Sequence, residues 1–174
     1  MKVSSGLDAL RGRKLAYVGD GNNMAHSLML GAAKVGMDIA LACPEGYEPQ
    51  ADYLALARAD AEAAGTRVEI VHSPREAAAG AACVYTDVWA SMGQEEEAAR
   101  RRHDFEGYMV DAGVMAAAAP DAVFLHCLPC HRGEEVSAEV ADGPRSRIFD
   151  QAENRLHVQK AIMLWLIGGL EIQP

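Results

Sequence analysis

Five short, mostly apolar runs, each cut off by a turn or polar residue and set apart by helix-forming stretches, constrain this chain more than any other feature. They occupy residues 15–18, 39–42, 68–71, 83–87 and 123–127. Such runs lack the strict in-out alternation of a half-exposed strand and read as strands covered on both faces. Between them, Asn22 or Asn23 can cap a helix that Gly36 stops. Residues 53–64 are Ala- and Leu-rich up to Gly65, and Pro74 opens a short helix to Ala79. A polar insert follows at 91–102, then a helix near 110–118. This alternation predicts an α/β fold: a doubly wound, Rossmann-like parallel sheet of about five strands, order 3-2-1-4-5, with helices on both faces. The loops after the first, fourth and fifth strands would then share one crevice at the switch point, where ligands bind in such sheets.

The chain has 174 residues, enough for a single domain over 1–174 with a real core. A formal net charge of −9 argues against nucleic-acid binding. No N-terminal apolar stretch resembles a signal peptide, and no run reaches the roughly 18 residues of a membrane span. Cys43, Cys83, Cys127 and Cys130 sit in or beside strand-like runs rather than in loop-rich, stapled sequence. A cytoplasmic protein without membrane contact is the expectation.

Several motifs are decoys. Gly19-Asp20-Gly21 begins like a dinucleotide fingerprint, but Met24 stands where the third glycine belongs and no acid closes the second strand. A glycine turn capped by asparagine explains the glycines, though not two consecutive asparagines. Cys127 to His131 matches a haem-attachment or CxxC pattern, yet lacks the export signal or helix start those uses require. A zinc site from His126, Cys127, Cys130 and His131 has no second cysteine pair at finger spacing. Cys130 reads as incidental. Glu95–Glu97 followed by Arg100–Arg102 reads as a solvated helix face, and His26, His72 and His103 as structural or solvent-facing.

What remains is the crevice. Leu125-His126-Cys127-Leu128-Pro129 puts a thiol at the end of the fifth strand, and the other loops bring Asn22, Asn23, Asp87, Ser91, Met92 and His131. Gly19-Asp20-Gly21-Asn22-Asn23, then Thr86-Asp87-Val88-Trp89-Ala90-Ser91-Met92-Gly93, then His126-Cys127-Leu128-Pro129, then Glu153-Asn154-Arg155 occur in that order. In these four motifs, over residues 10–167, the chain closely resembles the ornithine carbamoyltransferases. Aspartate carbamoyltransferases carry Pro where Cys127 stands, and the Ser91-Met92-Gly93 turn separates ornithine enzymes from those for putrescine or acetylornithine.

The resemblance implies transfer of a carbamoyl group from carbamoyl phosphate to the δ-amine of L-ornithine, giving L-citrulline and phosphate in arginine biosynthesis. It implies an ornithine site of Asn23, Asp87, Ser91 and Met92, and carbamoyl phosphate contacts from Cys127, Leu128 and Arg155. The catalytic residues implied are Cys127, Asp87 and Arg155, with no metal and no cofactor. Cys127 would be a proton acceptor or positioning group, not a covalent nucleophile. The alternative for Cys127 is a buried structural thiol, and for Arg155 an ion pair with Glu153 or another acid. The Leu128–Pro129 bond would be cis, and the 91–97 loop would close over ornithine.

Full-length members of that family also carry an N-terminal domain with the main phosphate loop, which this chain is expected to lack. Alone it should bind ornithine weakly and make no citrulline. The alternative is a non-catalytic binding or assembly module that complements a separate N-terminal half. The last helix, residues 151–167, is apolar on more than one side. It is expected to want cover from the absent half, and here either to promote self-association through Ile162, Trp165 and Leu166 or to shift from its usual place. Full-length members are expected to be homo-oligomers.

Overall fold

A computed structural model describes residues 7–90 and 97–169. After a 3-10 turn at Leu7–Leu10, the elements run β1 (Lys14–Val18), α1 (Asn23–Val35), β2 (Asp38–Ala42), α2 (Ala51–Ala64), β3 (Val68–Val71), α3 (Pro74–Ala78) and β4 (Cys83–Thr86). They continue with α4 (Ala98–Asp104), α5 (Ala112–Ala117), β5 (Val123–His126), α6 (Ala138–Ala141) and α7 (Ile148–Gly168). The five strands form one parallel sheet in the order β3-β2-β1-β4-β5, as the alternation predicts.

Alternate side chains of β1 explain the two covered faces. Leu15 and Tyr17 pack with Ile39, Leu41, Met29 and Ala57 beneath α1 and α2. Ala16 and Val18 pack with Val84, Phe124, Val114 and Met115 beneath α3 and α5. Helix α1 starts where Asn22 accepts the Met24 N–H at 2.9 Å and stops at Gly36, φ +77°. Of the two candidate caps, Asn22 is the one used. Among the described residues no helix is long and apolar enough to cross a membrane.

The Gly19-Asp20-Gly21 turn has a packing explanation. Gly19 sits at φ +140°, and a Cβ on Gly21 would fall 2.2 Å from the Pro49 backbone nitrogen. The second glycine lets two backbones touch, so no nucleotide is needed to account for it.

Helix α7 is longer at both ends than the apolar pattern suggests. Only its first turn is seated: Ile148 is buried, whereas residues 152–169 are all exposed.

The reading of residues 95–102 as a solvated face needs correction at one position. Arg101 is buried, with Nη1 2.6 Å from Asp20 Oδ2 and 2.9 Å from the Trp89 carbonyl, and its guanidinium lies over the Tyr47 ring. It pins α4 to the loop after β1. Arg100 and Arg102 remain exposed. His26 and His72 are structural, as expected: His26 stacks on Tyr53 and accepts the Gln50 N–H, and His72 Nδ1 meets the Cys43 carbonyl.

Candidate functional site

Register creates the site. Val18 pairs with Thr86, and Thr86 with His126, so three neighbouring strands end level. The next residues are Gly19, Asp87 and Cys127, and the chain turns away from the sheet at all three. Their loops and the seated turn of α7 enclose a cleft of about 1120 Å³. Asn23, Asp87, Cys127, Leu128 and Arg155 all line it, which brings together every expected site residue within the described ranges. Ser91 and Met92 lie outside the described residues.

Asp87 is the hub. Its buried carboxylate accepts from Cys127 Sγ at 3.0 Å and the Val88 N–H at 2.9 Å through Oδ1, and from Asn22 Nδ2 at 3.4 Å through Oδ2. All three donors are neutral groups, so none of them supplies a counter-charge. Among the described residues no basic side chain forms an ion pair with Asp87. A cation entering the cleft therefore meets a carboxylate already oriented and desolvated.

Cys127 keeps its proton. Burial, then the hydrogen bond and charge of Asp87, push its thiol up to about 12. A thiol held in this state donates a hydrogen bond to the carboxylate instead of taking a proton. Tyr85 below it is likewise pushed well above the ordinary tyrosine range, first by burial and then by the neighbouring Cys127.

The backbone at this point is unusual. Leu128 has φ +60°, a left-handed conformation that costs a non-glycine residue about 1–2 kcal/mol. The Leu128–Pro129 bond is cis, as the family resemblance implies. Leu128 donates its N–H to His126 Nδ1 at 2.9 Å, closing a small ring around Cys127. Gln151, in the first turn of α7, accepts the His126 N–H at 3.1 Å and donates to the Tyr85 hydroxyl at 2.9 Å. Arg155 lies one helical turn further along, exposed over the cleft. It makes no ion pair among the described residues, and Glu153 faces His157 instead.

Sequence reasoning missed Asn22 as a partner of Asp87, and missed His126, Tyr85 and Gln151. The doubled asparagine was a signal for the first: Asn22 caps α1 through Oδ1 and still has Nδ2 to donate to Asp87. Adjacency to Cys127 was a signal for His126. Nothing in the sequence marks Gln151.

Among the described residues two groups of side chains offer metal-binding atoms within 4.8 Å of one another: Asp87, His126 and Cys127, and His131, Glu134 and Glu135. In the first, His126 Nδ1 is already engaged by Leu128 and the thiol is protonated. In the second, Glu134 is paired with Arg102, a cation that opposes another. All four cysteines are free thiols.

Fold and cleft together define a doubly wound α/β domain with an open cleft at its switch point. Residues 11–166 match the family model described as aspartate/ornithine carbamoyltransferase, Asp/Orn binding domain. An ornithine carbamoyltransferase from Symbiobacterium thermophilum is 62% identical over 159 residues, covering 91% of this chain and 51% of that one. The ornithine carbamoyltransferase structure from Pyrococcus furiosus superposes with a TM-score of 0.87 at 49% identity, covering 93% of this chain and 52% of that one. The Gloeobacter violaceus structure gives 0.81 at 54% identity, covering 88% and 51%. The chain belongs to the aspartate/ornithine carbamoyltransferase family. It spans about half the length of the curated relatives it matches.

Proposed function

We propose that residues 1–174 form a single domain that binds L-ornithine in this cleft and presents its δ-amine for carbamoyl transfer from carbamoyl phosphate. The observation that carries this reading is the buried Asp87 carboxylate, hydrogen-bonded but without a counter-charge among the described residues, at the rim where three loops meet. A diamino acid supplies the missing cation. Asn23, exposed at the start of α1, holds the amino-acid end together with Ser91 and Met92, which the family resemblance alone contributes.

An ammonium has no lone pair, so the δ-amine must lose a proton before it attacks. Asp87 is the carboxylate placed to receive that proton, and the Cys127 thiol orients the acceptor oxygen. Arg155 and the Cys127–Leu128 backbone face the carbamoyl donor, where a guanidinium stabilises charge growing on a carbonyl oxygen. Turnover also requires an anion site for the phosphate. That site belongs to the half of the family's length that this chain does not span.

Calorimetric titration of the chain with L-ornithine tests the reading: binding is expected, and Asp87→Ala abolishes it. No binding to the unaltered chain refutes the ornithine assignment. The chain by itself is expected to yield no citrulline from the two substrates. The bare apolar surface of α7 favours one further reading, an assembly module. Recovered citrulline formation on mixing with the remaining half of a family member identifies a complementing domain, and none identifies a non-catalytic one.

A further inference from the structure

Beneath the cleft lies a buried pair that the proposed chemistry does not use. His126 and Glu135 are both fully buried, and His126 Nε2 faces Glu135 Oε1 at 3.4 Å. On the other side of the same ring, Nδ1 accepts the Leu128 N–H at 2.9 Å. A nitrogen that accepts carries no hydrogen, so the ring proton is on Nε2, which lies beside the carboxylate without forming a hydrogen bond to it. Glu135 is itself held in place, since Oε1 also accepts the His131 backbone N–H.

We infer that His126 is a positioning residue for the transfer site, acting on the turn that carries Cys127 and Leu128. Its ring spans two residues of backbone. By holding Leu128 N–H it keeps Leu128 at φ +60° and fixes the direction in which Cys127 leaves the sheet. That direction sets the 3.0 Å contact between Cys127 Sγ and Asp87 Oδ1. Glu135 favours the Nε2–H tautomer and so leaves Nδ1 free to accept. His126 itself touches no substrate in this arrangement, because it is wholly enclosed.

The inference deepens the ornithine reading, and its test separates the two. An asparagine side-chain oxygen falls near the position of Nδ1, whereas a glutamine amide reaches the position of Nε2. His126→Asn therefore keeps the acceptor for Leu128, and His126→Gln loses it while keeping a polar group toward Glu135. In the full chain, amide hydrogen exchange read by NMR at Leu128 is expected to speed at least tenfold in His126→Gln and to stay within threefold in His126→Asn. The unaltered chain should also show a scalar coupling across the hydrogen bond between the Leu128 amide nitrogen and His126 Nδ1. L-ornithine affinity should fall about tenfold in the glutamine variant alone. Equal Leu128 protection in both variants, equal loss in both, or no coupling in the unaltered chain overturns the inference. These NMR readouts decide it even if the unaltered chain binds no ornithine, an outcome that sinks only the functional reading.

Discussion

At the scale of single residues, the site rests on which groups hold protons. Cys127 donates to Asp87, and burial plus that carboxylate push its thiol up to about 12. Alkylation follows the thiolate, with a partial offset from the greater nucleophilicity of a more basic thiolate, so at pH 8 Cys127 should react with iodoacetamide more than about tenfold more slowly than a thiol of ordinary pKa. Asp87→Asn removes one cause of the shift and should speed the reaction at Cys127 at least tenfold. Site-resolved mass spectrometry measures both, and equal rates in the two proteins sink the hydrogen-bond assignment. The linkage sign follows from the same shift. Above about pH 9 the unfolded chain loses this proton while the folded chain keeps it, so stability falls as pH rises from there. Asp87 and Cys127 were legible in the sequence because each ends a buried strand at the switch point. The choice between Asn22 and Asn23 was not, because either type can cap a helix and only the three-dimensional turn decides.

At the scale of elements, strand order followed from the apolar runs, since each run ends at a recognisable Gly, Pro or Asp. The anchoring of α4 was hidden. An arginine within Arg100–Arg102 looks like its neighbours until tertiary structure buries one of them, and Arg101 alone sits against Asp20, Trp89 and Tyr47. Burial raises the Asp20 carboxyl above its ordinary value even though the Arg101 hydrogen bond and charge pull it down. Removing the guanidinium leaves that acid enclosed and alone. Arg101→Ala is therefore expected to cost about 3 kcal/mol in urea denaturation, and the double change Asp20→Asn with Arg101→Met to recover most of it. A loss under 1 kcal/mol for the single change would show that the pair is solvated in solution.

At the scale of the whole molecule, the covered sheet contrasts with bare α7. Ile162, Trp165 and Leu166 are 46%, 50% and 69% exposed and share one helical face. A contiguous apolar surface of this kind drives association. Sedimentation of the purified chain should show concentration-dependent dimers or larger species, which Ile162→Glu with Leu166→Glu converts to monomer. A monodisperse monomer before the substitutions refutes the association. The sequence disclosed the breadth of this apolar surface. It did not disclose how little of the helix is seated, because that depends on where the sheet ends.

The seating of α7 has a mechanical side. At 1.5 Å per residue, its 21 residues form a rod about 31 Å long, clamped among the described residues only at the base. A tilt of about ten degrees about that clamp sweeps the far tip through roughly 5 Å, while Gln151, close to the pivot, shifts by about 0.8 Å. Gln151 is bonded to both Tyr85 and His126. Whatever grips the rod's tip holds a long handle on those two contacts, with its travel geared down severalfold by the time it reaches Gln151.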